Sequence, residues 1–283
     1  MSIVYLNGNF LPTEQACVPV LDRGFIFGDG VYEVIPVYGG RLFRFEEHLQ
    51  RLQNNFAAVR IPDPLGNKDW KNLLETLVEK NGGGDLSLYL QVTRGSAQRD
   101  HAMPDKPTPT VFAMCTPLSP ISEKVRTHGV AAITLDDNRW QNCHIKAISL
   151  LPNILLRQAA LDQDAVEAIL IRDGFATEGA ASNLFAVIDG VLTTPPKGSK
   201  LLPGITRDLI LELAAEHGIA HAQEDISRES LKNADEVWLT SSTKEILSVT
   251  RLDGARVSNG QPGPVYQHML GLFQDYKQQL RQT

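Results

Sequence analysis

The chain has 283 residues, more than a single hydrophobic core usually serves, so two domains are expected. The formal net charge is −6, without a basic patch of note, which argues against nucleic acid as a partner. Three cysteines without a CxxC pair or ligand-like spacing argue against a metal centre and indicate a reducing compartment. The N-terminus lacks a signal-peptide core, and no apolar run approaches the ~18 residues of a membrane span. We therefore expect a cytoplasmic protein with no membrane partner.

The first 118 residues predict a small α/β domain. Asn7-Gly8 lies between two short apolar runs and predicts a β-hairpin. The stretch 24–37 is rich in β-branched and aromatic residues, which predicts strand structure interrupted by a tight turn at Gly28-Asp29-Gly30. The spacing of apolar residues predicts further elements, namely helices over 45–56 and 70–78 and strands over 86–93 and 110–116.

A proline-containing stretch with little apolar periodicity predicts an interdomain linker over 119–127. The larger C-terminal domain, 128–283, is predicted to mix strands, hairpins and helices. Its predicted strands are 130–135, 168–172, 184–188 and 237–240, and its predicted helices are 152–161, 205–217 and a closing helix from Val265. The expected fold class is α/β (α+β), with two domains and mixed sheets.

The sequence around Lys146 and Glu178 favours a catalytic role for these two residues. Lys146 lies between Ile145 and Ala147, an apolar setting that lysine normally avoids. Burial disfavours the ammonium form, which is what a lysine that forms a Schiff base needs. Glu178 is followed by small residues that would let a flat ring approach closely. Pyridoxal phosphate enzymes use such a lysine with an ionic partner at the pyridine nitrogen. The alternative is a snorkelling lysine and an ordinary turn glutamate.

Three places could hold a phosphate, which needs positive charge, backbone amides or a helix N-terminus. Arg51 lies on the first predicted helix, and the stretch 204–206 precedes another. The third is a hydroxyl-rich turn, 240–243, which follows a strand. Each has an alternative without a ligand: a solvated charge, a plain helix entry, and a capping box of Ser242 with Glu245.

Taken together, these motifs resemble the fold-type IV aminotransferases, which depend on pyridoxal phosphate. The resemblance runs nearly end to end and keeps the order and spacing of the family. It is carried by RGFIFGDGVYEV at 23–34, HLQRL at 48–52, Lys146, EGAASNLF at 178–185, LLPGITR at 201–207 and TSSTKEI at 240–246.

The resemblance implies roles for individual residues. Lys146 would carry the cofactor covalently, and Glu178 would contact the pyridine nitrogen. Leu202 would pack on the cofactor ring. The residues implied to bind the phosphate are Arg51, Ile205, Thr206 and Ser242.

Within the family, the stretch 92–104 resembles the D-amino acid transaminases. Arg99 and His101, one residue apart in a loop, resemble their carboxylate trap, which Tyr32 would complete. In the family this loop reaches the neighbouring subunit, so the resemblance implies a homodimer. The alternative is a mobile loop whose charges pair with Asp100 or Asp105.

The sequence therefore predicts ping-pong transamination of D-amino acids, with 2-oxoglutarate or pyruvate as the 2-oxo acid acceptor. Alternatives on the same scaffold are a branched-chain L-amino acid or R-selective amine transaminase, and aminodeoxychorismate lyase. A non-catalytic protein that binds pyridoxal phosphate is an alternative of a different class.

Overall fold

The computed structural model describes residues 2–282, which form two compact units. Within this range, the first unit comprises residues 2–119, 145–150 and 279–282, and the second comprises Pro120–His144 and Leu151–Gln278. The predicted domain boundaries at 118 and 128 remain a prediction. The two units of the structure differ from these boundaries, because residues 145–150, with Lys146, pair with a strand of the first unit and belong to it.

The first unit contains a six-stranded antiparallel sheet in the order β2-β1-β6-β5-β3-β4. Its strands are β1 (Ile3–Leu6), β2 (Asn9–Pro12), β3 (Gly30–Tyr38), β4 (Arg41–Leu42), β5 (Leu86–Thr93) and β6 (Thr110–Pro117). The predicted β1–β2 hairpin is present. Asn7 and Gly8 have φ values of 47° and 95°, a conformation that these two residue types adopt readily.

Two helices, α2 (Phe45–Val59) and α3 (Asn67–Lys80), follow the predicted periodicity. Their apolar residues are buried in one core cluster with residues of the sheet, and Trp70 and Leu77 are fully buried there. Alternate residues of β5, such as Leu88 and Leu90, belong to the same cluster. Residues between them on β5 are half-buried, as expected for a strand with one face on the core.

The prediction of strand structure from residue 24 is wrong for its first part. Residues Arg23–Phe27 form a short helix, α1. Asp22 caps this helix by accepting a hydrogen bond from Gly24 N at 2.8 Å, and Gly28 ends it at φ 66°. The cap and the left-handed glycine therefore outweigh the β propensity of Phe25 and Ile26.

The second unit contains a ten-stranded mixed sheet in the order β12-β11-β10-β14-β15-β7-β8-β9-β13, with β16 paired to β15. The pairs β7–β8, β7–β15 and β11–β12 are parallel. The strands are β7 (Val130–Asp136), β8 (Glu167–Arg172), β9 (Phe175–Gly179), β10 (Asn183–Ile188), β11 (Val191–Thr194), β12 (His221–Gln223), β13 (Ile226–Ser227), β14 (Glu236–Ser241), β15 (Glu245–Leu252) and β16 (Ala255–Arg256).

The remaining helices are α4 (Glu123–His128), α5 (Leu151–Leu161), α6 (Ile205–Glu216), α7 (Arg228–Lys232) and α8 (Pro264–Gln282). Helix α4 begins within the predicted linker and ends one residue beyond it, and Ser122 caps it by accepting from Val125 N at 3.4 Å. Within residues 2–282, no helix is long and apolar enough to cross a membrane. The same range shows no group of metal-ligating side chains.

Candidate active site

Lys146 lies beside Tyr32 in the first unit. The segment 145–150 pairs with β3 through a bridge between Val31 and Ala147. Tyr32 N donates to Lys146 O at 3.0 Å, and Lys146 N donates to Asn55 Oδ1 at 3.3 Å. Lys146 is half-buried, and its Nζ atom lies 4.2 Å from the centroid of the Tyr32 ring. Two residues predicted from the sequence are thus brought together, with their main chains fixed to each other.

Arg51 is buried in an ion pair on the helix-facing side of β3. Its Nε and Nη2 atoms donate to the two carboxylate oxygens of Glu33 at 2.8 and 2.7 Å. His48 Nδ1 lies 2.8 Å from Glu33 Oε2. The alternative of a solvated helix-face charge for Arg51 is therefore wrong. A bidentate pair of this kind fixes the guanidinium in one orientation.

Burial and charge set the ionisation of this group. Burial alone would raise the pKa of Glu33, but Arg51 and the contact from His48 lower it to about 2. Burial lowers the pKa of His48, against the opposing influence of Glu33. At neutral pH the group therefore holds one carboxylate, one guanidinium and a neutral imidazole.

Glu178 is buried at the end of β9 in the second unit, with 4% of its surface exposed. Arg139 Nη1 donates to Glu178 Oε1 at 2.6 Å. Leu202 N and Asn183 Nδ2 donate to Oε2 at 3.0 and 3.2 Å. Asn183 Nδ2 also donates to Leu202 O at 2.8 Å, so Leu202 is fixed directly beside the carboxylate. Glu178 is therefore not an ordinary exposed turn residue.

Arg139 is itself held by a carboxylate on its other side. Asp137 accepts from Arg139 Nε at 2.9 Å and from Nη2 at 3.0 Å, and pairs with Arg172 at 2.8 Å. Burial alone would lower the pKa of Arg139, but Asp137 and Glu178 raise it. Burial raises the pKa of Glu178 to about 7, although Arg139 acts in the opposite direction. A further cation near this carboxylate would favour its ionised form.

The predicted stretch 204–206 begins helix α6. Gly204 precedes the helix and supplies no side-chain cap, and Ile205 and Thr206 form its first turn. The first amides of a helix have no partner within it, so they are donors for an anion. A Cβ atom at Gly204 would lie 1.8 Å from Asn183 Oδ1, so only glycine fits beside that side chain.

The hydroxyl-rich turn joins two antiparallel strands, β14 and β15. Ser242 is half-buried in this turn, and Glu245 begins β15. The capping-box alternative for these two residues is therefore wrong, because no helix follows. Thr240 Oγ1, at the start of the turn, is buried and has no hydrogen-bond partner within residues 2–282. A buried hydroxyl in this state is a site where a ligand could bind.

Arg99 and His101 lie together in an exposed loop of the first unit. The Arg99 guanidinium carbon is 5.4 Å from the centroid of the Phe27 ring, and the His101 ring is 5.5 Å from it. The alternative pairing with Asp100 or Asp105 is not seen within residues 2–282. Over the same range, no hydrogen bond, ion pair or ring contact links Tyr32 to either residue.

Comparison with known proteins defines the family. The profile of the amino-transferase class IV family matches residues 30–252. The chain belongs to this family. The D-alanine aminotransferase of Bacillus licheniformis is 41% identical over 272 residues, which are 96% of each chain. That of Listeria monocytogenes is 40% identical over 264 residues, 93% of this chain and 91% of the relative.

The fold is also that of this family. The branched-chain amino acid aminotransferase of Escherichia coli superposes with a TM-score of 0.90 at 30% identity, covering 96% of this chain and 93% of that one. The predicted fold-type IV architecture is therefore confirmed. The chain is a pyridoxal phosphate-dependent aminotransferase, as the class implies.

The residues present in this class IV aminotransferase fit the cofactor. Glu178 offers a buried carboxylate, and Lys146 offers a half-buried amine. The uncapped start of α6 and the unpartnered Thr240 hydroxyl offer donors suited to a phosphate. Each of these groups is of a chemical kind that pyridoxal phosphate needs, with Lys146 in the first unit and the other three in the second.

Several residues around these groups were missed by sequence analysis. Glu33 and His48 hold Arg51, and Arg139 holds Glu178. A signal existed for Glu33, since it occupies a core-facing position of an alternating strand, where a charge needs a partner. Arg139 gave no comparable signal, because its partner lies 39 residues away.

Proposed function

We propose that this class IV aminotransferase transfers the amino group of D-amino acids, such as D-alanine or D-glutamate, to a 2-oxo acid. The acceptor would be 2-oxoglutarate or pyruvate, in a ping-pong mechanism. The observation that carries the proposal is that Arg99 and His101 both contact the Phe27 ring, at 5.4 and 5.5 Å from its centroid. Two such side chains can bind one carboxylate in a fixed orientation. Similarity to D-alanine aminotransferases over nearly the whole chain supports the same substrate class.

Lys146 and Glu178 are proposed as the catalytic pair. Bound pyridoxal phosphate supplies an electron sink for the carbanion formed at the substrate Cα. Lys146 Nζ would bind the cofactor covalently in the resting enzyme and, once released as a neutral amine, would take the Cα proton. Glu178 would keep the pyridine nitrogen protonated, and its contacts with Arg139 and Leu202 fix the carboxylate for this purpose.

The remaining cofactor contacts are proposed from chemistry and position. Arg51, the amides of Ile205 and Thr206, and the Ser242 hydroxyl would bind the phosphate. The ion pair with Glu33 would hold the Arg51 guanidinium in place. Leu202 would pack on the cofactor ring, since its main chain is fixed beside Glu178.

Tyr32, Arg99 and His101 are proposed to bind the substrate carboxylate. Only a Cα–H bond that faces Lys146 can lose its proton to that residue. Holding the carboxylate in one place therefore selects the enantiomer that presents this hydrogen. Tyr32 has its ring 4.2 Å from Lys146 Nζ, which supports a place close to the reacting carbon.

A cytoplasmic homodimer is proposed, in which the loop of one subunit completes the site of the other. Exposed apolar side chains support a covered surface in the first unit, with Val20, Leu21 and Phe25 exposed to 72%, 52% and 76%. In the second unit, Leu151, Ile154 and Leu155 on α5 are similarly exposed.

Mixed dimers test the shared site. A Lys146→Ala subunit is expected to be inactive alone, and an Arg99→Ala subunit nearly inactive alone at a low D-alanine concentration, because its KM is raised. If Arg99 serves the neighbouring subunit, a mixed dimer has one complete site and regains activity after the two variants are unfolded and refolded together. Mixtures that stay inactive, with mixed dimers detected by mass spectrometry, would place Arg99 in its own subunit's site.

A branched-chain L-amino acid aminotransferase is the second candidate, favoured by the structural similarity to the Escherichia coli enzyme. The test is the visible absorption spectrum of the protein loaded with cofactor, before and after D-alanine or L-leucine. Loss of the yellow band with D-alanine alone supports D-selectivity. A response to L-leucine alone supports the second candidate, and pyruvate release without an acceptor would indicate a lyase.

A further inference from the structure

The loop that carries Arg99 and His101 is anchored to the segment around α1. Arg23 N donates to Gly95 O at 2.9 Å, and Ala97 N donates to Leu21 O at 3.3 Å. These bonds fix the start of the loop. Residues 98–103 are all exposed, so packing against a core cannot define their conformation.

A buried arginine reaches into this exposed part. Arg23 is 5% exposed, and its Nη1 atom donates to Asp100 O at 2.6 Å and to Ala102 O at 3.2 Å. These two carbonyls lie on either side of His101. The guanidinium is held by Asp29, whose Oδ2 atom accepts from Arg23 Nε at 2.8 Å. The main chain at His101 is thus tied to an ion pair between the buried Arg23 and the half-buried Asp29.

One aromatic ring supports the side chains. The centroid of the Phe27 ring lies 4.9 Å from the Arg23 guanidinium carbon, 5.4 Å from that of Arg99 and 5.5 Å from the His101 ring. A guanidinium within ~6 Å of a ring centroid is attracted by its π electrons, and two rings at 5.5 Å pack as an aromatic pair. Arg99 and His101 therefore share a platform, and their separation and direction depend on it.

We infer that Arg23 and Phe27 are positioning residues that set the geometry of Arg99 and His101 for a substrate carboxylate. Arg23 orders the main chain on both sides of His101, and Phe27 orders the two side chains. A preformed arrangement binds a carboxylate more tightly, because less freedom is lost on binding. The inference rests on the proposed function, in which Arg99 and His101 recognise the carboxylate.

Phe27→Leu is the decisive variant, because Phe27 is half-buried and leucine keeps apolar volume while removing the ring. We expect the KM for D-alanine and the inhibition constant of propionate, a carboxylate that cannot react, both to rise about tenfold. The turnover number should change by less than about twofold, since the catalytic lysine is untouched. Phe27→Tyr should restore wild-type values.

Phe10→Leu is the matched control. Phe10 is also half-buried in the first unit and also lies under a cation, with Lys80 Nζ 5.4 Å from its ring, but it contacts no proposed substrate-binding residue. Its KM and propionate constant should equal those of the wild type. Equal increases in the KM for D-alanine and in the inhibition constant of propionate in the Phe10→Leu and Phe27→Leu variants would overturn the inference.

Hydrogen–deuterium exchange of the substrate-free Arg23→Gln variant tests whether Arg23 orders the main chain around His101. Faster exchange over residues 96–103, with the sheet unchanged, is the expected result. Arg94→Gln is its control, since Arg94 shares Asp29 but donates to Val59 O and Arg60 O instead of the loop. If either variant does not fold, the Phe27 series decides.

The two hypotheses fail differently. An unchanged KM in Phe27→Leu, with a raised KM in Arg99→Ala and His101→Ala, overturns the positioning role alone. An unchanged KM in Arg99→Ala and His101→Ala overturns the proposed carboxylate trap.

Discussion

Arg139 Nη1 donates a hydrogen bond to Glu178 Oε1 at 2.6 Å, although the two residues are 39 positions apart in the chain. Burial nevertheless raises the pKa of Glu178 to about 7. The protonated form of this carboxyl group therefore persists to a higher pH in the cofactor-free protein than it would in water. A bound pyridinium would shift it towards the ionised form, which is the form that the proposed role requires.

The stability of the cofactor-free protein should depend on Glu178 between about pH 4.5 and 7. A carboxyl group with a raised pKa in the fold stabilises it below the unfolded value, 4.5, and this contribution is lost as the pH rises through about 7. The loss is expected to be about 2–3 kcal/mol at most. Urea unfolding at pH 5 and pH 8 measures it. Glu178→Gln should show a smaller loss, and an equal loss in both proteins would contradict the prediction.

Arg139→Gln should weaken cofactor binding and destabilise the second unit. Removing one partner of a buried ion pair costs about 3–5 kcal/mol, because the other charge is left uncompensated. The pKa of Glu178 should rise further, so the carboxylate would hold a pyridinium less well. Arg139→Lys, which keeps a cation, should lose less cofactor affinity and less stability than Arg139→Gln. Equilibrium dialysis with pyridoxal phosphate measures the affinity, and equal affinities for wild type and Arg139→Gln would count against this role.

Glu33 should make the first unit sensitive to acid. Its pKa is lowered from 4.5 to about 2 by Arg51 and His48, so its contribution is present above the unfolded value and is lost as the pH falls towards 2. The shift corresponds to about 3 kcal/mol. Thermal unfolding between pH 5 and pH 2 measures the decline in stability. This decline should be smaller in Glu33→Gln than in the wild type. Glu47→Gln is the control, since that carboxylate is exposed, and it should leave the decline as in the wild type.

Lys146→Ala should abolish multiple turnovers, because no other group is proposed to take the Cα proton. The segment 145–150 should keep its main-chain bonds to β3, since these involve Tyr32 N and Gly30 O. Cofactor should therefore still bind, but without a covalent link to the protein, as mass spectrometry after borohydride reduction would show. Appreciable steady-state turnover in this variant would refute the assignment.

Local patterns predicted much of the fold. The β1–β2 hairpin depends on Asn7 and Gly8, which adopt left-handed conformations readily. Helices α2 and α3 depend on apolar spacing that matches a helical repeat. Where short-range preferences competed, the prediction failed. Residues Arg23–Phe27 have strand propensity but form a helix, because Asp22 caps it and Gly28 ends it.

The sequence by itself determined the family, since ordered motifs around Lys146 and Glu178 can be read without coordinates. Only the tertiary structure decided how those residues are held. Arg51 is fixed by Glu33, Glu178 by Arg139, and the loop at His101 by Arg23. Each of these bonds joins residues far apart in the chain: the separation is 18 positions for Arg51, 39 for Glu178 and 77 for Arg23. Short-range patterns report local conformation, whereas the pairing of buried charges depends on which strands and helices pack together.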